Sequence, residues 1–200
     1  MTQITTIEAL EELYEEVNPL SLSKVASEIT PLYRQWIEAS RFVVVATVGA
    51  RGVDASPRGD KGPVVKIVDN NSLHLPDWRG NNRLDSLRNI VDDGRISLMF
   101  MVPGSNNVVR VNGNASLHTD PALVASFDRK GLTPQSVIII KVREAYFQCA
   151  KAIMRSGLWN GEDHGKQVPT AGQFLREAEA SFDANNYDQG YAEYAKTRMW

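Results

Sequence analysis

The sequence predicts a mainly β, α+β fold: a small barrel of six to seven strands with α-helices flanking it. Two observations predict it. Seven apolar or alternating runs, each about four to ten residues long, follow one another between Phe42 and Phe147. Between them stand turn sequences such as Gly49-Ala50-Arg51-Gly52, Asp69-Asn70-Asn71-Ser72 and Pro103-Gly104-Ser105-Asn106.

Taken in order, Thr5 with Glu8 fits a capping box. A helix is expected over residues 6–17, with Ile7, Leu10, Leu13, Tyr14 and Val17 on one face, until Asn18-Pro19 stops it. A second helix is expected from about Ser23. Thr30-Pro31 reads as a cap and first helical residue for a helix ending near Ser40. These helices are expected to pack on the outside of the barrel. Residues 42–48 are almost wholly apolar and read as a strand covered on both faces. A short strand over 53–56 meets Pro57, which demands an edge or an interruption. Strands over 64–68 and 73–75 follow. Asn81 or Asn82 is expected to cap a helix to about Asp92, with Leu84, Leu87 and Ile90 buried. Strands over 95–102 and 108–117 come next, the latter alternating Val109, Val111 and Gly113 against Arg110, Asn112 and Asn114. Gly113 in mid-strand signals a bulge or a close approach. Asp120-Pro121 starts a short helix, 137–147 is the last strand, and 148–158 turns helical. Thr170 caps a helix to about Ser181, and the remainder has room for one more.

The 200 residues suggest one structural domain, divided into N-terminal helices over 1–40, a core over 41–160 and a helical extension over 161–200. An apolar fraction of 42% and a charged fraction of 23% suit a globular protein with a core of useful size. A net charge of −2 gives no global attraction to nucleic acid. The single cysteine, Cys149, excludes an intrachain disulfide and is expected to be a buried packing residue. No basic-then-apolar leader opens the chain, and no apolar run reaches the roughly 18 residues a membrane helix needs. The expected location is cytoplasmic, with neither membrane nor nucleic acid as a partner.

Four groups of residues carry candidate chemistry. In Asp77-Trp78-Arg79-Gly80-Asn81-Asn82-Arg83-Leu84-Asp85-Ser86, arginines and a hydroxyl surround a helix start, whose free N–H groups suit a phosphate. Arg79 and Arg83 would add charged donors, Ser86 a hydroxyl, and Gly80 close backbone approach. A plain loop and cap with solvated arginines accounts for the same residues. Ser56-Pro57-Arg58-Gly59-Asp60 sets a hydroxyl, a guanidinium and a carboxylate around a bend. Arg58 would meet a phosphate or ring carbonyls, and Asp60 would orient Arg58 or Arg83; a surface Arg–Asp pair is the simpler alternative. Arg110 and Asn112 share one strand face, toward either solvent or a polar cleft. Lys151, Arg155 and Ser156 fall at helical spacing with Trp159 just beyond, and the like charges four apart favour either a bound anion or a solvated stripe. His74, His118 and His164 lack metal-ligand spacing, and no P-loop, G-x-S-x-G or G-x-G-x-x-G is present.

In their order and intervals, residues 42–48, Ser56-Pro57-Arg58-Gly59-Asp60, residues 80–90, Arg110-Val111-Asn112-Gly113 and residues 146–159 resemble the pyridoxamine 5′-phosphate oxidase-like superfamily. Within it, the chain is most similar to the branch of predicted flavin-nucleotide-binding proteins. The resemblance spans roughly residues 35–160. It implies an FMN-binding split β-barrel and a homodimer with FMN at the interface. Carried onto this chain, it makes Arg58 and Arg83 the main phosphate or ring contacts, with Ser56, Asn81 and Ser86 behind them. Lys151, Arg155, Ser156 and Trp159 would reach the flavin across the dimer. The family pattern departs at Trp78, where an arginine is expected directly after Asp77, and here Arg79 follows instead. An FMN-dependent oxidoreductase on a small substrate is the function so implied, with no obligatory acid or base in view. The alternative is a non-enzymatic protein that stores or senses flavin or haem, with His74 or His118 as the axial ligand. A deazaflavin such as F420 would suit the same fold.

Overall fold

The strands β6 (Val108–His118) and β7 (Ser136–Gln148) form an antiparallel pair on which the rest of the sheet hangs. The computed structural model describes residues 2–199. The β6–β7 register runs from Val108↔Gln148 to Asn112↔Glu144, then resumes at Gly113↔Val142 and continues to His118↔Val137. Arg143 is therefore the extra residue of a β-bulge. Gly113 sits opposite it, and a Cβ there would lie 2.2 Å from the Lys141 carbonyl oxygen. The ladder can close at this point only on glycine, as the mid-strand position of Gly113 predicts.

The bulge divides the sheet. The first half of β6 pairs with β5 (Arg95–Met101), which pairs with β1 (Phe42–Gly49), which pairs with β2 (Gly52–Gly59). The first half of β7 pairs with β4 (Ser72–Asp77), which pairs with β3 (Lys66–Asp69). Among the described residues this gives a seven-stranded antiparallel sheet in the order β2-β1-β5-β6-β7-β4-β3. The sheet is open and its two edges curl toward each other, which is the expected split barrel with flanking helices. Its inner face buries Val43, Val45, Leu73, Leu98, Phe100, Val111, Ile138 and Ile140. Helix α3 (Pro31–Ala39) seals one end with Ile37, its first turn capped by Thr30. Helix α4 (Asp85–Asp92) lies against β1, β2 and β6 and buries Ile90.

Several expectations change. The helix expected over 6–17 is only Ile7–Glu11 (here α1), capped by Thr6 rather than Thr5. Ile7, Leu10, Leu13, Tyr14 and Val17 are all exposed, so this stripe does not pack on the barrel. The next helix, α2 (Pro19–Ser23), ends where one was expected to begin, with Asn18 as its cap, and it buries nothing. β1 is not covered on both faces: Val43 and Val45 are buried, whereas Val44, Ala46 and Val48 are only half-buried. β2 runs on through Pro57, which the edge position tolerates because no further strand calls on its missing N–H. α4 starts at Asp85, and its cap residue is Leu84 in the left-handed region (φ 63°) with no side-chain cap; Asn81 instead accepts from the Arg83 N–H at 3.1 Å. Leu84 is exposed and Leu87 half-buried. Cys149 is exposed, in the turn between β7 and α6 (Lys151–Ser156), rather than a core residue. Beyond α5 (Pro121–Ala125) and α6, the chain ends in a capping-box helix α7 (Ala171–Ala178) packed on α8 (Ala184–Lys196).

Gly113→Ala is expected to destabilise the protein by about 2 kcal/mol or more, because the methyl group must displace backbone and not a flexible side chain. Urea unfolding checks this, and an unchanged midpoint would contradict the packing described.

Candidate functional site

Edge strand β2 turns Asp54, Ser56 and Arg58 toward the inner face, since they pair with the inward residues Thr47, Val45 and Val43 of β1. On the opposite edge, β4 ends at Asp77, and the chain then loops through Trp78 to Leu84 into α4. Between these two edges lies a cavity of about 930 Å³. Ser56, Arg58, Arg79, Asn81, Arg83 and Ser86 all line it, so the two separate sequence motifs meet at one place. Asp54, Asp77, Gln135 and Ser136 complete the wall.

Each lining group has a definite state. Arg58 Nη1 meets Asp77 Oδ1 at 3.2 Å, bridging two strands that are not neighbours in the sheet. The Arg58 Nε–H is buried and has no protein acceptor. Asp77 is itself buried, and that desolvation raises its pKa above the usual carboxylate range, opposed in part by the charge and hydrogen bond of Arg58. The Ser86 hydroxyl donates to Asp54 Oδ2, pinning the first turn of α4 to β2. Arg83 reaches Asp85 through Nε at 2.8 Å but remains largely exposed. Arg79 is exposed and its guanidinium has no acidic partner among the described residues. Trp78, directly after Asp77, is buried with the Arg129 guanidinium 4.7 Å above its ring. Asn82 and Leu84 both have positive φ (61° and 63°), so this loop holds a conformation that non-glycine residues rarely adopt.

Other expected site residues lie elsewhere. Asp60 orients neither Arg58 nor Arg83; its carboxylate pairs with Arg129 at 2.6 Å, outside this cavity. Arg110 lies on the outer face of the sheet, 5.4 Å from the Tyr146 ring centre and 3.4 Å from the Ser97 hydroxyl. Lys151, Arg155 and Ser156 are exposed on α6, and none of them lines the cavity. The indole N–H of Trp159 donates to the Ser105 carbonyl at 2.7 Å, and its ring does not line this cavity. His74 and His118 are also outside the cavity; burial, followed by the charges of Lys66, Lys141 and His118, lowers the His74 pKa. Sequence reasoning missed Asp54, Gln135 and Ser136. Ser136 enters only through its register opposite Asp77, which no local pattern reveals.

The fold and this cleft define a split-barrel protein with an arginine-lined groove between its sheet edges. A family model described as pyridoxamine 5′-phosphate oxidase matches residues 29–149. That is more than half of the chain, and the chain belongs to this family. Among solved structures, it is similar to HupZ of Group A Streptococcus (22% identity over 58% of this chain and 91% of that one, TM-score 0.48). It is also similar to General Stress Protein 26 of Bacillus anthracis (17% identity, 57% of this chain and 88% of that one, TM-score 0.43). A third is an FMN-binding protein from Syntrophomonas wolfei (10% identity, 72% and 97%, TM-score 0.43). No curated protein matches the chain.

The burial of Asp77 has a measurable signature. The folded state holds its proton more tightly than the unfolded chain, whose carboxyl titrates near 3.8. Ionising Asp77 therefore costs stability as the pH rises from about 3.8 through the raised folded value. Asp77→Asn lacks this step, so its stability relative to wild type is expected to improve across that window. Denaturant unfolding at several pH values checks it, and a difference that does not change with pH would count against the assignment.

Proposed function

We propose that this protein binds FMN in the cleft between β2 and the loop after β4, and that it works as a flavin-dependent oxidoreductase on a small substrate. The observation that carries the reading is the convergence of Arg58, Arg79 and Arg83 on one cavity, with the Arg58 Nε–H still lacking an acceptor. Guanidinium forks match phosphate oxygens, and a helix start beside them adds backbone donors. The cavity size is that of sites for cofactor-sized ligands. The residues present thus fit the group that membership of the family implies.

In this reading Arg58 and Arg83 hold the phosphate. Ser56, Asn81 and Ser136 give it shorter-range hydrogen bonds, and Arg79 reaches the ring edge or a substrate anion; Ser86, whose one hydroxyl proton goes to Asp54, holds α4 in place instead of meeting the phosphate as expected. Asp77 fixes the Arg58 guanidinium in place. Bound FMN would supply the hydride or electron transfer, and the protein would supply orientation and electrostatics. A homodimer belongs to the same proposal. The half-buried outer residues Val44, Ala46, Val48, Met99 and Met101, with exposed Phe42 and Val53, give a second copy an apolar face to cover. Lys151, Arg155 and Ser156 of that copy would then approach the cleft. A haem reading has less support, because His74 and His118 do not line the cavity.

Arg83→Ala and Arg58→Ala are each expected to weaken FMN binding by about tenfold or more, the loss of one charged hydrogen bond being worth about 1.5–3 kcal/mol. Flavin fluorescence quenching reads the affinity. Arg83 is exposed, so that variant keeps its fold and a normal affinity in it would overturn the site.

A further inference from the structure

A second, smaller cavity of about 240 Å³ adjoins the first, sharing Asp54, Arg83 and Asp85 with it. Its far side is formed by Arg51, from the β1–β2 turn, and Arg88, from the second turn of α4. We propose that this cavity is a phosphate subsite, and that Arg51, Arg83 and Arg88 are its ligands.

Three features support it. First, the two flanking arginines are uncommitted: neither the Arg51 nor the Arg88 guanidinium has an acidic partner among the described residues. Second, the acids in the wall are already engaged, Asp54 by the Ser86 hydroxyl and Asp85 by Arg83 Nε. They hold structure in place and leave the guanidinium forks for a ligand. Third, the two elements bearing the arginines are locked together. Asn89 is buried on α4 and donates from Nδ2 to Thr47 Oγ1 at 3.2 Å and to the Gly52 carbonyl at 3.4 Å. Gly49 closes this contact, since a Cβ there would stand 2.5 Å from Asn89 Oδ1. The β1–β2 turn therefore cannot drift from α4, and Arg51 and Arg88 are presented from a fixed frame. Guanidiniums arriving from different elements suit the several oxygens of a phosphate better than a single carboxylate.

The subsite stands on its own geometry; what it adjoins rests on the flavin reading. Its phosphate could come from two sources. One is the second phosphate of a dinucleotide lying across both cavities. The other is a separate phosphorylated substrate placed beside FMN.

The test is calorimetric titration of the full-length protein with pyrophosphate, compared between wild type and the double variant R51Q/R88Q. Both positions are exposed, and thermal melting confirms that the variant is folded. Pyrophosphate affinity is expected to fall by about tenfold or more in R51Q/R88Q. FMN affinity is expected to stay within about twofold, because neither arginine lines the larger cavity. FAD then separates the sources: a selective loss of FAD affinity in the variant supports a dinucleotide, whereas pyrophosphate binding to FMN-loaded protein with no FAD selectivity supports a separate substrate. Wild-type protein that fails to bind pyrophosphate, or a variant that binds it as well as wild type, overturns the subsite. Failure of the flavin reading shows separately, as wild-type protein that binds pyrophosphate but not FMN.

Discussion

The β6–β7 ladder, bent at one bulge, is the constraint on which the structure depends. Before the bulge β6 carries β5, β1 and β2; on the other side β7 carries β4 and β3. The extra residue at Arg143 sharpens the twist between these halves. Their free ends then face one another across a gap that no backbone ladder closes. Side chains span it instead. Arg58 on β2 meets Asp77 on β4, and just beyond, Asp60 holds Arg129, which in turn covers Trp78. Two ionic links thus set the width of the cleft.

The same arrangement explains how a chain of net charge −2 lines its cleft with guanidinium groups. The acids near the cleft are spent on internal work. Asp77 steadies Arg58, Asp54 anchors Ser86, Asp85 meets Arg83, and Asp60 meets Arg129. What remains outward is guanidinium, at Arg79, Arg83, Arg88 and Arg51. Local geometry, and not overall charge, sets the sign of the field in the cleft.

The strands were legible because burial imposes a period of two. Val109, Val111 and Gly113 face inward as their alternation indicates, and Gly113 marks the bulge itself. Arg58 and Arg83 could be found because glycine, proline and asparagine cluster around them at strand and helix ends. Contacts set by the register of distant strands were not legible. Nothing near Asp60 points to Arg129, and nothing near Ser136 points to Asp77. The start of α4 was misplaced because Leu84 takes a left-handed conformation that its side chain disfavours, and only the tertiary setting imposes it. The N-terminal stripe from Ile7 to Val17 has helical spacing, but spacing provides no surface to pack against, and α1 stays short.

A barrel whose seam is joined by side chains leaves part of its closure to whatever enters the seam. A molecule held there by both edges binds the folded chain and not the unfolded one, so its affinity adds directly to the free energy of folding. Recognition and architecture become one equilibrium at this cleft. The melting temperature therefore ranks candidate ligands by itself, whether or not they carry colour, and the protein serves as the reporter of whatever fills its seam.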